Sequence, residues 1–157
     1  MTKIRFTAMP TDDAMHIWNG GADAYGLTPE RFVSDGDGNP CRHCIEHIAG
    51  DEPALLFAYR AFPTRQAFAE TGPIFLHATP CARYVAEECL PPILSCPDYI
   101  VRGYDHADRI VYGSGTVTPT TDIINRSSDI LGRPDIAYVH VRSSRNNCYH
   151  CRIDRAA

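Results

Sequence analysis

At the start of the chain, Ile4 and Phe6 stand between the polar residues Lys3, Arg5 and Thr7. An alternation of period two turns one side of an extended segment toward a core, so this pattern predicts a short strand that ends near Pro10. After an irregular stretch, Thr28-Pro29-Glu30-Arg31 combines a capping residue with proline at the first helical position. A helix is expected there, reaching only to about Ser34 before Asp35-Gly36-Asp37-Gly38-Asn39-Pro40 breaks it. Residues 54–62 and 73–77, rich in branched and aromatic side chains, predict two strands, and residues 80–88 a short helix before Pro91-Pro92.

Farther along, residues 99–104 and 109–112 predict strands joined at Asp105-His106-Ala107-Asp108. Ile123, Ile124, Ile130 and Leu131 recur at roughly helical spacing, with Gly132-Arg133-Pro134 as a stop, so a helix is expected over 122–131. Residues 136–142 and 148–154 complete the set as strands. Strand pairs separated by short helices, without regular βαβ alternation, imply an α+β fold with a largely antiparallel sheet and short flanking helices. Neither a repeat nor a low-complexity linker divides the chain, and 157 residues match one domain of about 100–200, so residues 1–157 are expected to form a single globular domain.

Composition narrows the function classes. Hydrophobic residues are 44% and charged residues 22%, which describes a folded chain. A net charge of −4 offers no general attraction to phosphate backbones or anionic lipid, so no nucleic-acid partner is expected. No apolar run approaches the roughly 18–20 residues of a membrane helix, and residues 1–10 lack the apolar core of a secretory signal. A cytoplasmic location with no membrane association is the resulting expectation; the sequence sets no oligomeric state. In that compartment seven cysteines read as thiols, metal ligands or redox groups rather than a disulfide framework.

Two groups of residues suggest chemistry. Cys41-Arg42-His43-Cys44 follows a proline-terminated turn, and CxxC spacing lets two thiolates converge on one cation. Thirty-two residues intervene before His77-Ala78-Thr79-Pro80-Cys81 supplies a second nitrogen-and-sulfur pair. Cys41, Cys44, His77 and Cys81 form a three-cysteine, one-histidine set, which is a recognised tetrahedral zinc type. With all four positions filled by protein, such a zinc is structural. The competing readings are packed apolar thiols and a thiol-redox pair at Cys41 and Cys44, although the βαβ surroundings of thioredoxin-like motifs are missing. His43 and His47, four apart, become extra ligands only if a helix starts after Cys41. Cys89 and Cys96 read as packed thiols.

The second group lies on the last two strands. A hairpin centred near Arg145 places Tyr138 opposite Arg152, His140 opposite His150, and Arg142 opposite Cys148. Tyr138, His140, Arg142, His150 and Arg152 then make one polar stripe, which Arg102 and Tyr104 extend. Such a stripe is either a solvated sheet face or a site for a small anionic ligand, a carboxylate or phosphate, with a histidine able to exchange protons near neutral pH. The anion reading makes the protein a small enzyme or binding protein, with no reaction specified. Gly113-Ser114-Gly115 lacks the rest of a phosphate-binding loop and reads as a turn.

Pro-Cys-Arg-His-Cys (40–44), Ala-Glu-Thr-Gly-Pro-Ile-Phe-Leu-His-Ala (69–78) with Cys81, Arg-Gly-Tyr-Asp (102–105), Arg-Ile-Val-Tyr-Gly (109–113) and Ala-Tyr-Val-His-Val-Arg-Ser (137–143) together resemble a bacterial family called domain of unknown function 1203. The resemblance extends over nearly the whole chain. It implies a small single-domain bacterial protein and carries no catalytic role.

Overall fold

In the computed structural model, which describes residues 1–157, regular structure is mostly sheet. The order is β1 (Ile4–Thr7), α1 (Thr11–Trp18), β2 (Glu30–Val33), β3 (Pro53–Arg60), β4 (Thr71–His77), β5 (Asp98–Tyr104), β6 (Thr116–Pro119), α2 (Ile123–Leu131), β7 (Tyr138–Ser143) and β8 (Tyr149–Arg155), with a 3-10 turn (Thr120–Asp122) leading into α2. The pairings between these strands are antiparallel, so the fold is α+β, as its alternating patterns imply. Two compact units alternate along the chain: one comprises Met1–Thr7, Thr64–Ala69 and Val85–Ala157, the other Ala8–Pro63 and Glu70–Tyr84. No helix is long and apolar enough to cross a membrane.

The first unit holds a five-stranded sheet of order β1-β8-β7-β5-β6. On one of its faces Val101, Val139, Val141, Cys151 and Ile153 are buried, matching Ile123, Ile130 and Leu131 of α2. Gly103 marks the closest approach on that face, since a Cβ there would lie 2.7 Å from Ile136 Cδ1 and 3.1 Å from Ile130 Cγ2. The strand expected at 109–112 is reduced to a single bridge between Tyr104 and Ile110. Asp105 Oδ1 accepts the amides of Ala107 and Arg109, Gly113 turns the chain at φ 85°, and Thr116–Pro119 takes the place on β5 instead. Gly113-Ser114-Gly115 is a turn, as its composition implies.

The second unit is built on a three-stranded sheet, β2-β3-β4. Met9, Ala14, Ile17, Ile48, Phe57, Ile74 and Leu76 form its core. Helix α1 was not expected from the sequence, yet its signals are present: Pro10 precedes it, Asp12 and Asp13 sit where the helix dipole favours anions, and Ala14 and Ile17 recur three apart on the buried side. The helix expected at Thr28–Ser34 is strand β2. A segment so short gains little as an isolated helix, whereas pairing Glu30–Val33 with Val33↔Pro53 to Glu30↔Leu56 satisfies its backbone and brings Phe32 edge-on to Phe75 at 5.6 Å. Residues 80–88 are also irregular rather than helical, because their backbone bonds elsewhere: the Tyr84 amide donates to His43 O, and Glu87 O accepts from Phe6 N.

One carboxylate organises the loop after α1. Asp23 Oδ1 accepts the amides of Tyr25 and Leu27, both at 2.9 Å, and Oδ2 accepts that of Ala58 on β3 at 3.0 Å. Burial pushes its pKa up, but these three amide donors outweigh burial and hold it below the usual value. A depressed folded pKa contributes stability that is present above the unfolded value and lost as pH falls through the folded one. Asp23→Asn should therefore lower stability by about 1–2 kcal/mol at pH 7 in urea unfolding, with the difference from wild type shrinking below about pH 4. Gly103→Ala should lower it by about 1–3 kcal/mol, because Ile136 is fully buried and has no free space to move into.

Candidate metal centre

The CxxC segment is shaped by a tight hairpin. Cys41 N donates to Glu46 O at 2.9 Å, Ile45 N to Cys41 O at 3.0 Å and Ile48 N to Asn39 O at 3.0 Å. Closing so short a turn requires a left-handed residue, and the chain places Ile45 there at φ 56°. A branched side chain is strained in that region by about 1–2 kcal/mol, a cost offset by its burial at 5% exposure. Cys41 runs beside β4 through a parallel bridge to Phe75, and Arg42 N donates to Phe75 O at 3.1 Å. The turn is thereby docked along the strand that ends at His77.

This docking brings four ligand atoms together. Those of Cys41, Cys44, His77 and Cys81 all lie within 4.8 Å of one another. Cys41 Sγ is 3.8 Å from Cys81 Sγ, and Cys44 Sγ is 3.6 Å from His77 Nδ1. A tetrahedron with metal–sulfur bonds of about 2.3 Å and metal–nitrogen bonds of about 2.0–2.1 Å has S···S edges of about 3.8 Å and S···N edges of about 3.6 Å. These two separations match those edges, and the four atoms, none more than 4.8 Å from another, are compatible with a single metal ion.

Crowding also dictates the electrostatics. The Cys41 thiol is drawn well below its ordinary pKa, first by the neighbouring thiols of Cys44 and Cys81, then by the amides of Cys44 and His77, with burial opposing. Cys44 is pushed up to about 11 and Cys81 higher still, in each case first by the Cys41 sulfur. One thiolate is tolerated and a second is resisted by the first, as expected where several negative charges share a small space without a cation.

Residues outside the ligand set orient it. His77 turns Nε2 toward Glu52 Oε2 at 3.4 Å, which leaves Nδ1 for the cluster, and its carbonyl accepts from Trp18 Nε1 at 2.8 Å. His43 points Nδ1 at Cys81 Sγ, 3.4 Å away, and Nε2 at Thr11 Oγ1, 2.9 Å away. Burial holds the pKa of His43 below the ordinary imidazole value; the charge of Cys41 opposes this and Arg83 reinforces it. No helix follows Cys41, so His43 and His47 do not share a helical face, and His47 is exposed. Thr11, Trp18 and Glu52 could not be read from motif spacing. For Trp18 and Thr11 the usable signal was the overlooked helix α1. None of the seven cysteines is in a disulfide. Cys89 and Cys96 are exposed rather than packed, since they lie in irregular segments.

The stripe on the larger sheet differs from its expected geometry. The register of β7 and β8 pairs His140 with Arg152 and Val141 with Cys151, two residues from the predicted pairing. A shift of two preserves faces, so His140 and Arg152 remain together. An irregularity between Val141 and Arg142 then pairs Arg142 with Tyr149 rather than Cys148. Tyr149 stands 4.9 Å from His140 as a consequence, while the His150 ring meets Tyr99 at 5.3 Å, on the side of the sheet that carries Val101. Tyr104 stacks on Tyr138 at 5.4 Å, the Arg152 guanidinium lies 3.9 Å over Tyr138, and Arg102 Nε donates to the Tyr104 hydroxyl. Tyr138 donates to Asp108 Oδ1, and Arg152 pairs with Asp154 at 2.7 Å. His140 is 1% exposed and Arg142 3%, whereas the Arg152 side chain is 41% exposed, so water reaches only part of this face. Burial, then Arg142, Arg152 and Arg102, push the pKa of His140 well down, which keeps it neutral at neutral pH rather than exchanging protons there.

A family model described as a protein of unknown function (DUF1203) matches residues 38–155. No curated protein and no solved structure matches the chain. The match includes all four residues of the cysteine–histidine group.

The single tryptophan, Trp18, bonds to His77 O and meets the His43 ring edge-on at 5.1 Å, so its fluorescence should report on the centre. Zinc added to chelator-treated protein is expected to change its emission intensity or maximum. The response should saturate near one equivalent and disappear in Cys44→Ser.

Proposed function

The chain belongs to this family of unknown function, DUF1203, and from its own residues we propose that it carries a structural zinc ion held by Cys41 Sγ, Cys44 Sγ, Cys81 Sγ and His77 Nδ1. The observation that carries the reading is the pair of tetrahedral edge lengths, 3.8 Å between sulfurs and 3.6 Å between sulfur and nitrogen. Tetrahedral sets of sulfur and nitrogen suit zinc, and separations of at most 4.8 Å fit a single ion rather than a larger cluster with bridging sulfides. A dication supplies the charge the three thiols lack, replacing their protons as it binds. All four positions are protein atoms, so no coordination site is left for an activated water, and the ion's role is to hold chain segments together.

The segments it joins are the Cys41 hairpin, the end of β4 and the irregular stretch carrying Cys81. They belong to a unit of only roughly 70 residues, a size at which an apolar core alone supplies little net stability and a staple contributes substantially. The redox reading of Cys41 and Cys44 is less well supported. They lie in a hairpin without the βαβ surroundings of a thioredoxin-like motif.

Protein purified without added metal should contain close to one equivalent of zinc by elemental analysis, and Cys44→Ser should lose most of it. Chelation should lower the thermal midpoint of the wild type, with recovery on adding zinc, because a ligand bound only by the folded state stabilises it. Absence of zinc from the wild type, or an undiminished content in Cys44→Ser, would refute the assignment.

A further inference from the structure

We infer that His43, fixed in place by Thr11, is the positioning residue that supports the Cys81 sulfur and sets how long the centre retains its metal; this rests on the zinc reading above. The three sulfurs are supported differently. Cys41 draws on the amides of Cys44 and His77, and Cys44 on the amide of Glu46, all backbone groups of the hairpin and of the strand beside it. Cys81 comes from the irregular stretch after β4, and its sulfur is met by the imidazole of His43 at 3.4 Å.

Burial of the ring and the negative charge of a metal-bound sulfur set which way that hydrogen bond runs. His43 is 1% exposed, and a ring so far from water must satisfy both nitrogens within the protein. A metal-bound thiolate can only accept, so Nδ1 carries the proton and donates to Cys81. Nε2 is then an acceptor, and the Thr11 hydroxyl at 2.9 Å donates to it. The ring is therefore held in one neutral tautomer by a chain running from the first residue of α1 to the sulfur. Trp18 against one edge and the bond from Tyr84 N to His43 O restrict its movement further. Such a donor withdraws charge from a thiolate and holds its lone pairs in line with the ion. Removing an outer partner of this type lowers metal affinity by about 10–100-fold.

The test uses the full chain loaded with zinc, and compares wild type, His43→Ala, His43→Asn and Thr11→Val. Asparagine places an amide nitrogen at about the position of Nδ1 and can still donate to Cys81. Zinc transfer to a chromogenic chelator is timed, and the order in which the thiols react with iodoacetamide is mapped by mass spectrometry. His43→Ala should release zinc about tenfold faster or more, with Cys81 the first ligand alkylated. His43→Asn should return the rate to within about threefold of wild type, and Thr11→Val should accelerate release by a smaller factor than alanine. Equal acceleration by alanine and asparagine would reduce His43 to packing and overturn the inference, as would wild-type kinetics in His43→Ala. If His43→Ala fails to fold, wild-type kinetics in Thr11→Val together with fast release from His43→Asn would overturn it. A wild type that takes up no zinc would instead defeat the metal assignment itself.

Discussion

Three sulfur atoms and an imidazole nitrogen confined within 4.8 Å of one another cannot settle their charges among themselves. Stabilising one thiolate at Cys41 pushes the protons of Cys44 and Cys81 more firmly onto their sulfurs. The backbone nevertheless holds all four groups within 4.8 Å of one another, with a branched residue, Ile45, in the left-handed region of the turn. Strain and charge crowding of this kind persist only where a compensating interaction exists. The proposed cation on the four atoms would remove the charge conflict and stabilise the turn as well.

The smaller sheet is arranged around this requirement. Phe75 and Leu76 on β4 lead to His77, the Cys41 hairpin docks alongside, and Trp18 anchors the His77 carbonyl. Glu52 faces the far nitrogen of His77, so the ring is directed by contacts on both sides. Cys41 is itself part of the apolar core, which makes the centre continuous with the packing rather than an attachment to its surface.

The larger sheet manages its polar side chains by another route. Tyr104, Tyr138, His140 and Tyr149 form a cluster of rings in which Tyr104 stacks on Tyr138, and guanidiniums are placed over ring faces and against hydroxyls. Arginine suits such burial because its planar, weakly hydrated cation stacks on aromatic rings as well as accepting an ion-pair partner. His140 stays uncharged because burial disfavours the imidazolium and a further positive charge beside Arg142, Arg152 and Arg102 is unfavourable.

Local sequence patterns contain enough to place most strands and the four residues of the cysteine–histidine group. Alternation at Ile4 and Phe6 reports which side chains leave water, branched and aromatic content marks 54–60 as a strand, and CxxC and HxxxC spacing reports which sulfurs and nitrogens can converge. What those patterns lack is the identity of each segment's partner. Glu30–Val33 is a strand because β3 offers it hydrogen bonds, and residues 80–88 are irregular because their amides and carbonyls are engaged elsewhere. The irregularity in the last hairpin, which puts Tyr149 beside His140 and turns His150 to Tyr99, depends on how two strands fit side by side. His43 lies between the two cysteines of the CxxC motif, and only the folded chain turns its ring inward to connect Thr11 with Cys81. Periodicity records the preference of a residue for water or core; the contact it makes there is settled by segments distant in sequence, whose packing no local spacing specifies.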